Sequence, residues 1–218
     1  MLCETIDYKG CTIEVHSDDD PESPRTWSNF GTMTCRHRDY HLGDVHDQSA
    51  EDIIELTKRD DVLWLPLYLL DHSGLWMKTG TPDADTWTTR GDRFVCDSQG
   101  WDTSTVGIIY ATFETIRKEY NVKKITPAVK KKAYALLECE VKTYSDYLEG
   151  AVCGYMTKDE NDEHLDSCWG YYPEHEQGRE DYHYMMEEAR SSIDHHLEQK
   201  AKAQAEQNAN DQQALQLL

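Results

Sequence analysis

Basic residues are scarce in this chain of 218 residues, which has 22 lysines and arginines against 42 aspartates and glutamates. The formal net charge of −20 repels phosphate groups, so direct binding to nucleic acid is not expected. Three interpretations of the acidity remain open. They are solubility or adaptation to salt, binding of cations or basic partners, and imitation of nucleic acid by carboxylates.

Long apolar segments are missing as well. The longest apolar run, residues 62–70, is too short to span a bilayer and contains Pro66. Residues 1–9 lack the basic stretch and the apolar stretch of a secretory signal. We therefore expect no membrane partner and a cytoplasmic location.

Several familiar motifs are absent. The seven cysteines form no Cys-x-x-Cys pair, and their odd number favours free thiols in a reducing compartment. The sequence contains no phosphate-binding glycine loop, no nucleophile elbow and no spaced catalytic triad. Phenylalanine occurs 3 times, whereas 13 tyrosines and 6 tryptophans provide rings that suit half-buried contact positions. The sequence therefore contains no motif that predicts an enzymatic activity. A protein without enzymatic activity is the leading expectation.

Turn residues and alternating apolar positions predict the strands. Lys9 and Gly10 predict a hairpin turn near the start of the chain, because glycine adopts the positive φ that tight turns need. A second hairpin is predicted around residues 159–162. The predicted strand segments are residues 5–8, 12–16, 30–35, 62–70, 75–78, 106–111, 152–157 and 165–171.

Caps and helical periodicity predict the helices. Ser49 and Thr126 are suitable N-caps, and Pro127 suits the first helical position. Gly150 is predicted to end the helix that follows Thr126. The predicted helices are residues 49–58, 112–120, 126–148 and 182–197.

Strands and helices do not alternate regularly along the chain. This order predicts an α+β fold with a mostly antiparallel sheet, three to four helices packed on one face, and an acidic C-terminal helix. We expect a single domain over residues 1–200 and a weakly helical or disordered tail over residues 201–218. Residues 79–102 are predicted to form a long irregular excursion, and loops of that length are often functional.

Negative charge is concentrated between residues 159 and 188, where eleven acidic residues are opposed by one basic residue, Arg179. A lysine cluster at residues 123–132 has the opposite sign, so a polarised field is expected. Tyrosines lie among the acids, and aromatic side chains are common at contact surfaces. The predicted partner-binding residues are Asp159, Glu160, Asp162, Glu163, Asp166, Tyr171, Tyr172, Glu174, Glu176, Glu180, Asp181, Glu187 and Glu188. The alternative interpretation is a solvated acidic face.

Two segments are candidate metal sites. Asp18, Asp20 and Glu22 could hold a divalent cation such as Mg²⁺ or Ca²⁺, which prefers clustered carboxylate oxygens. The spacing is not that of a calcium loop, and a capping loop paired with Arg25 is the alternative. A second candidate set, for zinc, is Cys35, His37, His41 and His46.

Three further residues are candidates for catalysis. His72 and Asp102 each lie in a short turn and could contribute a base and an acid to a cleft. Cys168 could be a nucleophile, although a cysteine beside a tryptophan in a strand is usually part of the core.

Several segments resemble a family of bacteriophage and prophage proteins of unknown function. They are Tyr8-Lys9-Gly10 with Ile13-Glu14-Val15, Asp20-Pro21-Glu22-Ser23-Pro24-Arg25, Leu65-Pro66-Leu67-Tyr68 with Asp71-His72-Ser73-Gly74, Gly100-Trp101-Asp102 with Val106-Gly107, Tyr144-Ser145-Asp146-Tyr147-Leu148, and Asp166-Ser167-Cys168-Trp169-Gly170. The similarity extends from about residue 8 to residue 171. It implies a phage-encoded accessory protein that acts inside a bacterial cell, and it assigns no catalytic residue.

Charge and resemblance together give the leading hypothesis. A phage-encoded acidic protein would bind and inhibit a host nucleic-acid-handling defence protein, in the manner of an anti-CRISPR or anti-restriction protein that mimics DNA. The expected partner is a host protein with a basic nucleic-acid-binding surface, and no cofactor is expected. A metal-dependent hydrolase that uses residues 18–22 with His72 or Asp102 is the alternative. A homodimer formed through the C-terminal helix is a third interpretation.

Overall fold

The computed structural model describes residues 1–80, 94–97, 99–176 and 179–216. Within these residues the chain forms ten strands and four α-helices. The strands are β1 (Leu2–Tyr8), β2 (Cys11–Ser17), β3 (Thr32–Cys35), β4 (Val62–Asp71), β5 (Leu75–Thr79), β6 (Thr103–Thr112), β7 (Cys153–Lys158), β8 (His164–Tyr171), β9 (Glu174–Glu176) and β10 (Arg179–Asp181). The helices are α1 (Ala50–Thr57), α2 (Phe113–Glu119), α3 (Pro127–Leu148) and α4 (His183–Gln216).

The chain divides into two compact units. The first unit comprises Met1–Pro21 and Gly150–Leu218, and the second unit comprises Glu22–Glu149. The sequence-based expectation of one domain over residues 1–200 stays a prediction. Each unit has its own sheet and its own apolar core, as described below.

The predicted α+β class with antiparallel strands and four helices is confirmed. The strands are divided between two four-stranded sheets, ordered β1-β2-β7-β8 in the first unit and β3-β6-β4-β5 in the second, with β9 and β10 forming a separate ribbon. The sequence analysis expected one sheet. Its patterns identify strands but not distant partners, and β2 pairs with β7 from the other end of the chain.

The core of the first unit lies between its sheet and α4. Alternate residues of β2, namely Cys11, Ile13 and Val15, are buried, as expected for a strand with one face on a core. They belong to one apolar cluster with Met185, Ala189 and Ile193 of α4. These three helical residues are spaced by four, so they lie on one face of the helix.

The core of the second unit covers both faces of its sheet. Residues 62–70 of β4 are all buried, which explains their uninterrupted apolar run. Leu65 and Leu67 belong to a cluster with Leu137 of α3. On the opposite face, Trp64 belongs to a cluster with Ile53 of α1. Helices therefore cover both faces of this sheet, whereas the sequence analysis expected them on one face.

The predicted helix caps are present. The Ser49 side chain accepts a hydrogen bond from the backbone of Asp52, whose carboxylate accepts one from the backbone of Ser49 in return. Thr126 caps α3, and Pro127 is its first residue. Gly150, with a φ of 75°, follows the end of α3.

Helix α4 extends beyond the predicted residues 182–197, and its acidic character stays a prediction. Nine of the eleven acidic residues between 159 and 188 precede it, and within it six acidic residues accompany three basic ones. The helix continues through Gln216, so described residues 201–216 are helical. Across the described residues, no helix is both long enough and apolar enough to cross a membrane.

Candidate functional site

A cavity of about 350 Å³ lies in the second unit. Three apolar side chains line it, those of Leu70, Trp76 and Phe94, together with the polar side chains of His72, Cys96, Asp97 and Asp102. Its volume is at the lower end of the range for ligand pockets. Two of these polar residues, His72 and Asp102, were candidates from sequence.

His72 and Asp102 are in contact. His72 Nδ1 lies 2.9 Å from Asp102 Oδ2, and the side chains are 70% and 41% exposed. His72 is in the tight turn between β4 and β5, where its backbone N–H donates to the carbonyl of Gly74 and Ser73 has a φ of 60°. The contact with the carboxylate favours the tautomer with a proton on Nδ1, which leaves Nε2 as an acceptor.

Asp97 organises the loop that carries Asp102. Its carboxylate accepts hydrogen bonds from Thr103 Oγ1 at 2.6 Å, from the backbone N–H of Trp101 at 2.9 Å and from that of Asp102 at 3.1 Å. The hydroxyl of Thr103 foremost, and then the backbone donors, lower the pKa of Asp97 to about 2. Asp97 is therefore a carboxylate that fixes the position of its neighbours.

Cys96 was missed by the sequence analysis. It lies in a short 3₁₀ helix, Val95–Asp97, and it is exposed. The surrounding segment has no helical or strand periodicity. The sequence therefore does not predict which residues lie near this thiol. Most of the predicted excursion over residues 79–102, namely residues 81–93 and 98, lies outside the described residues.

The first unit carries most of the negative charge of the protein. Its 90 residues include 21 acidic and 6 basic ones, which gives −15 of the total of −20. The second unit has 21 acidic and 16 basic residues and a net charge of −5. The predicted partner-binding residues all belong to the first unit.

Three of the predicted acids, in β8, β9 and the first turns of α4, accept hydrogen bonds from tyrosines. The hydroxyls of Tyr171 and Tyr184 both donate to Glu188, with Tyr184 at 2.7 Å. These two hydrogen bonds lower the pKa of Glu188. Glu174 accepts from the backbone N–H of Tyr184 at 2.8 Å, and Asp166 accepts from Tyr155 at 2.9 Å. We call these six residues the tyrosine–carboxylate cluster.

The acids of the β7–β8 turn lie at another part of the first unit. Asp159 accepts from the backbone N–H groups of Asn161 and Glu163, and so shapes the turn. Glu160 forms an ion pair with Lys200 of α4. Lys200 is twelve residues beyond Glu188, which is about 18 Å along a helix. The predicted surface therefore consists of at least two separate clusters.

The contacts of the other predicted partner-binding residues differ from one residue to the next. Asp162 lies 3.4 Å from Lys158, and Glu187 lies 3.5 Å from His183. Asp181 accepts from the backbone of Tyr182, Glu163 is exposed, and Tyr172 is half-buried. The side chains of Glu176 and Glu180 lie outside the described part of the chain.

Two of the three candidate cation ligands accept a hydrogen bond from their own segment. Asp18 accepts from the backbone N–H of Asp20 at 3.1 Å, and Glu22 accepts from Thr26 Oγ1 at 2.7 Å. Arg25, the alternative partner of these acids, forms ion pairs with Asp44 and Glu140. In the residues that the structure describes, no three His, Cys, Asp or Glu side chains are grouped for metal binding. A cation at this loop stays a prediction.

The candidate zinc ligands are divided. His41 and His46 are in ring contact at 4.7 Å, whereas His37 stacks on Tyr40 at 4.9 Å. Cys35 is fully buried, and its burial raises the pKa of the thiol to about 12. A buried protonated thiol is a poor zinc ligand, because zinc binds the thiolate.

Cys168 is exposed on β8, so the expectation that it belongs to the core is wrong. The core residue at the paired position of β7 is Tyr155, which is 3% exposed. Strand β8 is at the edge of its sheet. This edge position, which the local sequence does not reveal, explains the exposure.

Comparison with known proteins gives no match to any protein-family model, to any curated protein or to any solved structure.

Proposed function

We propose that the first unit binds a basic protein surface, and that the chain is a phage-encoded inhibitor of a host nucleic-acid-handling defence protein in the bacterial cytoplasm. The observation that carries this proposal is the ratio of 21 acidic to 6 basic residues in the 90 residues of this unit. The resemblance to phage proteins supports the cellular setting.

Charge density supports a partner that normally binds nucleic acid. Duplex DNA has about one negative charge per 1.7 Å of its axis, and a basic protein groove that binds it is complementary to closely spaced anions. Exposed carboxylates of the first unit, such as those of Asp162, Glu163 and Glu187, are available for such contacts. An acidic unit would compete with DNA for the same groove.

The tyrosine–carboxylate cluster favours binding of a protein partner over binding of small mobile cations. Tyr184 is 58% exposed, and its hydroxyl holds Glu188 in a fixed position. Tyrosine provides contact area at a small cost in side-chain entropy. Carboxylates that are already held in place lose less freedom on binding than flexible ones. Arginine side chains suit this surface, since they bind carboxylates and stack on aromatic rings.

The test is a pull-down from bacterial lysate depleted of nucleic acid, with the full chain immobilised. At low salt we expect nucleic-acid-binding proteins to be retained and then eluted by short duplex DNA. Binding should fall steeply at high salt, because salt screens exposed charges.

Two charge variants make this test specific. The triple variant Asp162→Asn, Glu163→Gln, Glu187→Gln removes three exposed charges from the first unit. Its matched control, Glu114→Gln, Glu119→Gln, Glu138→Gln, removes three exposed charges from the second unit. We expect at least a tenfold loss of captured protein for the first and little change for the second. Equal losses, or retained proteins that DNA does not displace, would contradict the proposal.

The metal-dependent hydrolase receives less support. Asp18 and Glu22 each accept a hydrogen bond within their own segment. Their carboxylates are therefore explained by local turn structure, as is common for such residues in loops.

A further inference from the structure

We propose that the cavity of the second unit is a catalytic site, in which Cys96 is a thiol nucleophile, His72 its general base and Asp102 the carboxylate that orients the base. The reaction class is transfer or hydrolysis of a small acyl group. This inference is independent of the binding function proposed for the first unit.

A carboxylate orients the proposed general base. Its Nδ1 is engaged by Asp102 at 2.9 Å, so Nε2 is the nitrogen that can take a proton. The imidazole is 70% exposed and lines the cavity, which leaves it accessible to a substrate. A carboxylate on the far nitrogen also stabilises the imidazolium after proton transfer.

Hydrogen bonds fix the positions of Asp97 and Asp102. Asp97 follows Cys96 directly, and its carboxylate accepts the backbone N–H of Asp102 at 3.1 Å. The carbonyl of Asp102 accepts from the backbone N–H of Asp71, the neighbour of His72, at 3.0 Å. These bonds connect the three proposed residues through short stretches of backbone. Such support from surrounding residues is what catalytic geometry needs.

The cavity itself indicates the substrate class. Leu70, Trp76 and Phe94 provide apolar walls, and the indole N–H of Trp76 donates to Glu149 at 2.6 Å, which fixes the ring. A volume of about 350 Å³ admits a small molecule or one side chain. A short aliphatic or aromatic acyl group, as an ester, thioester or amide, matches these walls.

The chemistry is that of a thiol acyl-transfer enzyme. The thiol of Cys96 gives its proton to His72 Nε2, and the thiolate attacks the acyl carbon to form a carbon–sulfur bond. The tetrahedral intermediate collapses, the leaving group departs with the proton from His72, and an acyl thioester remains on Cys96. Water, deprotonated by the same imidazole, then attacks the thioester. The acid is released, and the proton returns to the cysteine sulfur.

Iodoacetamide tests the activation of the thiol in the full chain. Cys3, Cys139 and Cys168 are also exposed and serve as internal controls. Peptide mass spectrometry after limited reaction at pH 7 should show Cys96 alkylated about ten times faster than Cys139, because in the proposed site a histidine takes the proton of this thiol. His72→Gln should remove this difference, and Asp102→Asn should reduce it. His183→Gln, a change at an exposed histidine of the first unit, should leave it unchanged.

A chromogenic ester tests the acyl transfer. With 4-nitrophenyl acetate we expect release of nitrophenol and an acetyl group on Cys96 in the intact mass, and Cys96→Ser should abolish both. Circular dichroism shows whether each variant is folded, and exposure of Cys96 makes this substitution mild. Equal alkylation of Cys96 and Cys139, an unaltered rate in His72→Gln, or acetylation on another residue would overturn the proposal.

Discussion

The guanidinium of Arg25 is bound at two points by the carboxylate of Asp44, with Nε 2.9 Å from Oδ1 and Nη2 2.6 Å from Oδ2. The arginine also donates to Glu140 at 3.1 Å and to the carbonyl of Gly31 at 2.8 Å. Its side chain is only 5% exposed. This network connects the loop before β3 with α3 inside the second unit.

We expect Arg25→Met to lower the free energy of unfolding by roughly 3 kcal/mol, because two acids are left without their buried partner. Urea unfolding followed by tryptophan fluorescence measures this change. Arg38→Met is the matched control, since the Arg38 side chain is 90% exposed and its ion pair with Asp39 is local. A similar effect of the two substitutions would show that burial of the Arg25 network does not stabilise the unit.

The low pKa of Asp97 predicts a pH dependence. A carboxylate whose pKa is about 2 in the folded chain and about 3.9 when unfolded stabilises the fold fully above pH 4. This contribution is lost as the pH falls toward 2. We therefore expect the stability difference between the wild type and Asp97→Asn to be largest at neutral pH and to shrink below pH 4.

The measurement is a series of urea denaturations from neutral pH to pH 2. Asp60→Asn, at an exposed position before β4, is the matched control for loss of one carboxylate. A constant difference for Asp97→Asn would mean that Thr103 and the loop amides do not favour the ionised form.

Gly107 is predicted to tolerate no side chain. A Cβ at this position of β6 would lie 1.9 Å from the carbonyl oxygen of Thr34 and 2.9 Å from the Cα of Cys35, both of which are backbone atoms of β3. Since backbone cannot rotate away, Gly107→Ala should separate β3 from β6 and destabilise the second unit by roughly 3 kcal/mol or more.

Gly150→Ala is the contrasting variant. Gly150 has a φ of 75°, but a Cβ there would meet nothing within 4 Å. We expect a smaller cost of about 1 kcal/mol, from the left-handed backbone alone. Thermal unfolding by circular dichroism compares the two, and equal costs would contradict the steric explanation.

Local features of the fold were predictable because local residues determine them. Lys9 and Gly10, with φ values of 54° and 82°, form the hairpin turn that the sequence indicated. Ser49 and Thr126 cap their helices as predicted. In each case a turn or cap depends on a few neighbouring residues, so no knowledge of distant contacts is needed.

Strand partners could not be predicted in the same way. The pairing of Ile13 with Thr157 joins β2 to β7 across most of the chain. Strand β2 has the alternation of a half-buried strand, and that pattern is equally compatible with many partners.

In the proposed catalytic site, too, local features could be predicted from the sequence and distant contacts could not. His72 and Asp102 were each recognised as polar residues in turns, but their contact depends on the register of β4 against β6, in which Leu70 pairs with Thr103. Cys96 has no periodic context, so its place at the cavity had no signal in the sequence. Likewise, the contact of Tyr171 with Glu188 requires the position of β8 relative to α4.

Residues 198–213 of α4 are exposed without interruption, beyond the buried Met185, Ala189 and Ile193. Helical stretches of this length are marginal in water when no packing supports them. Amide hydrogens in these later turns should therefore exchange with deuterium through local fraying, whereas those near Ala189 should exchange only when the core of the first unit opens. A ligand bound to the exposed turns would consequently be detected as slower local exchange, even where the melting temperature does not change.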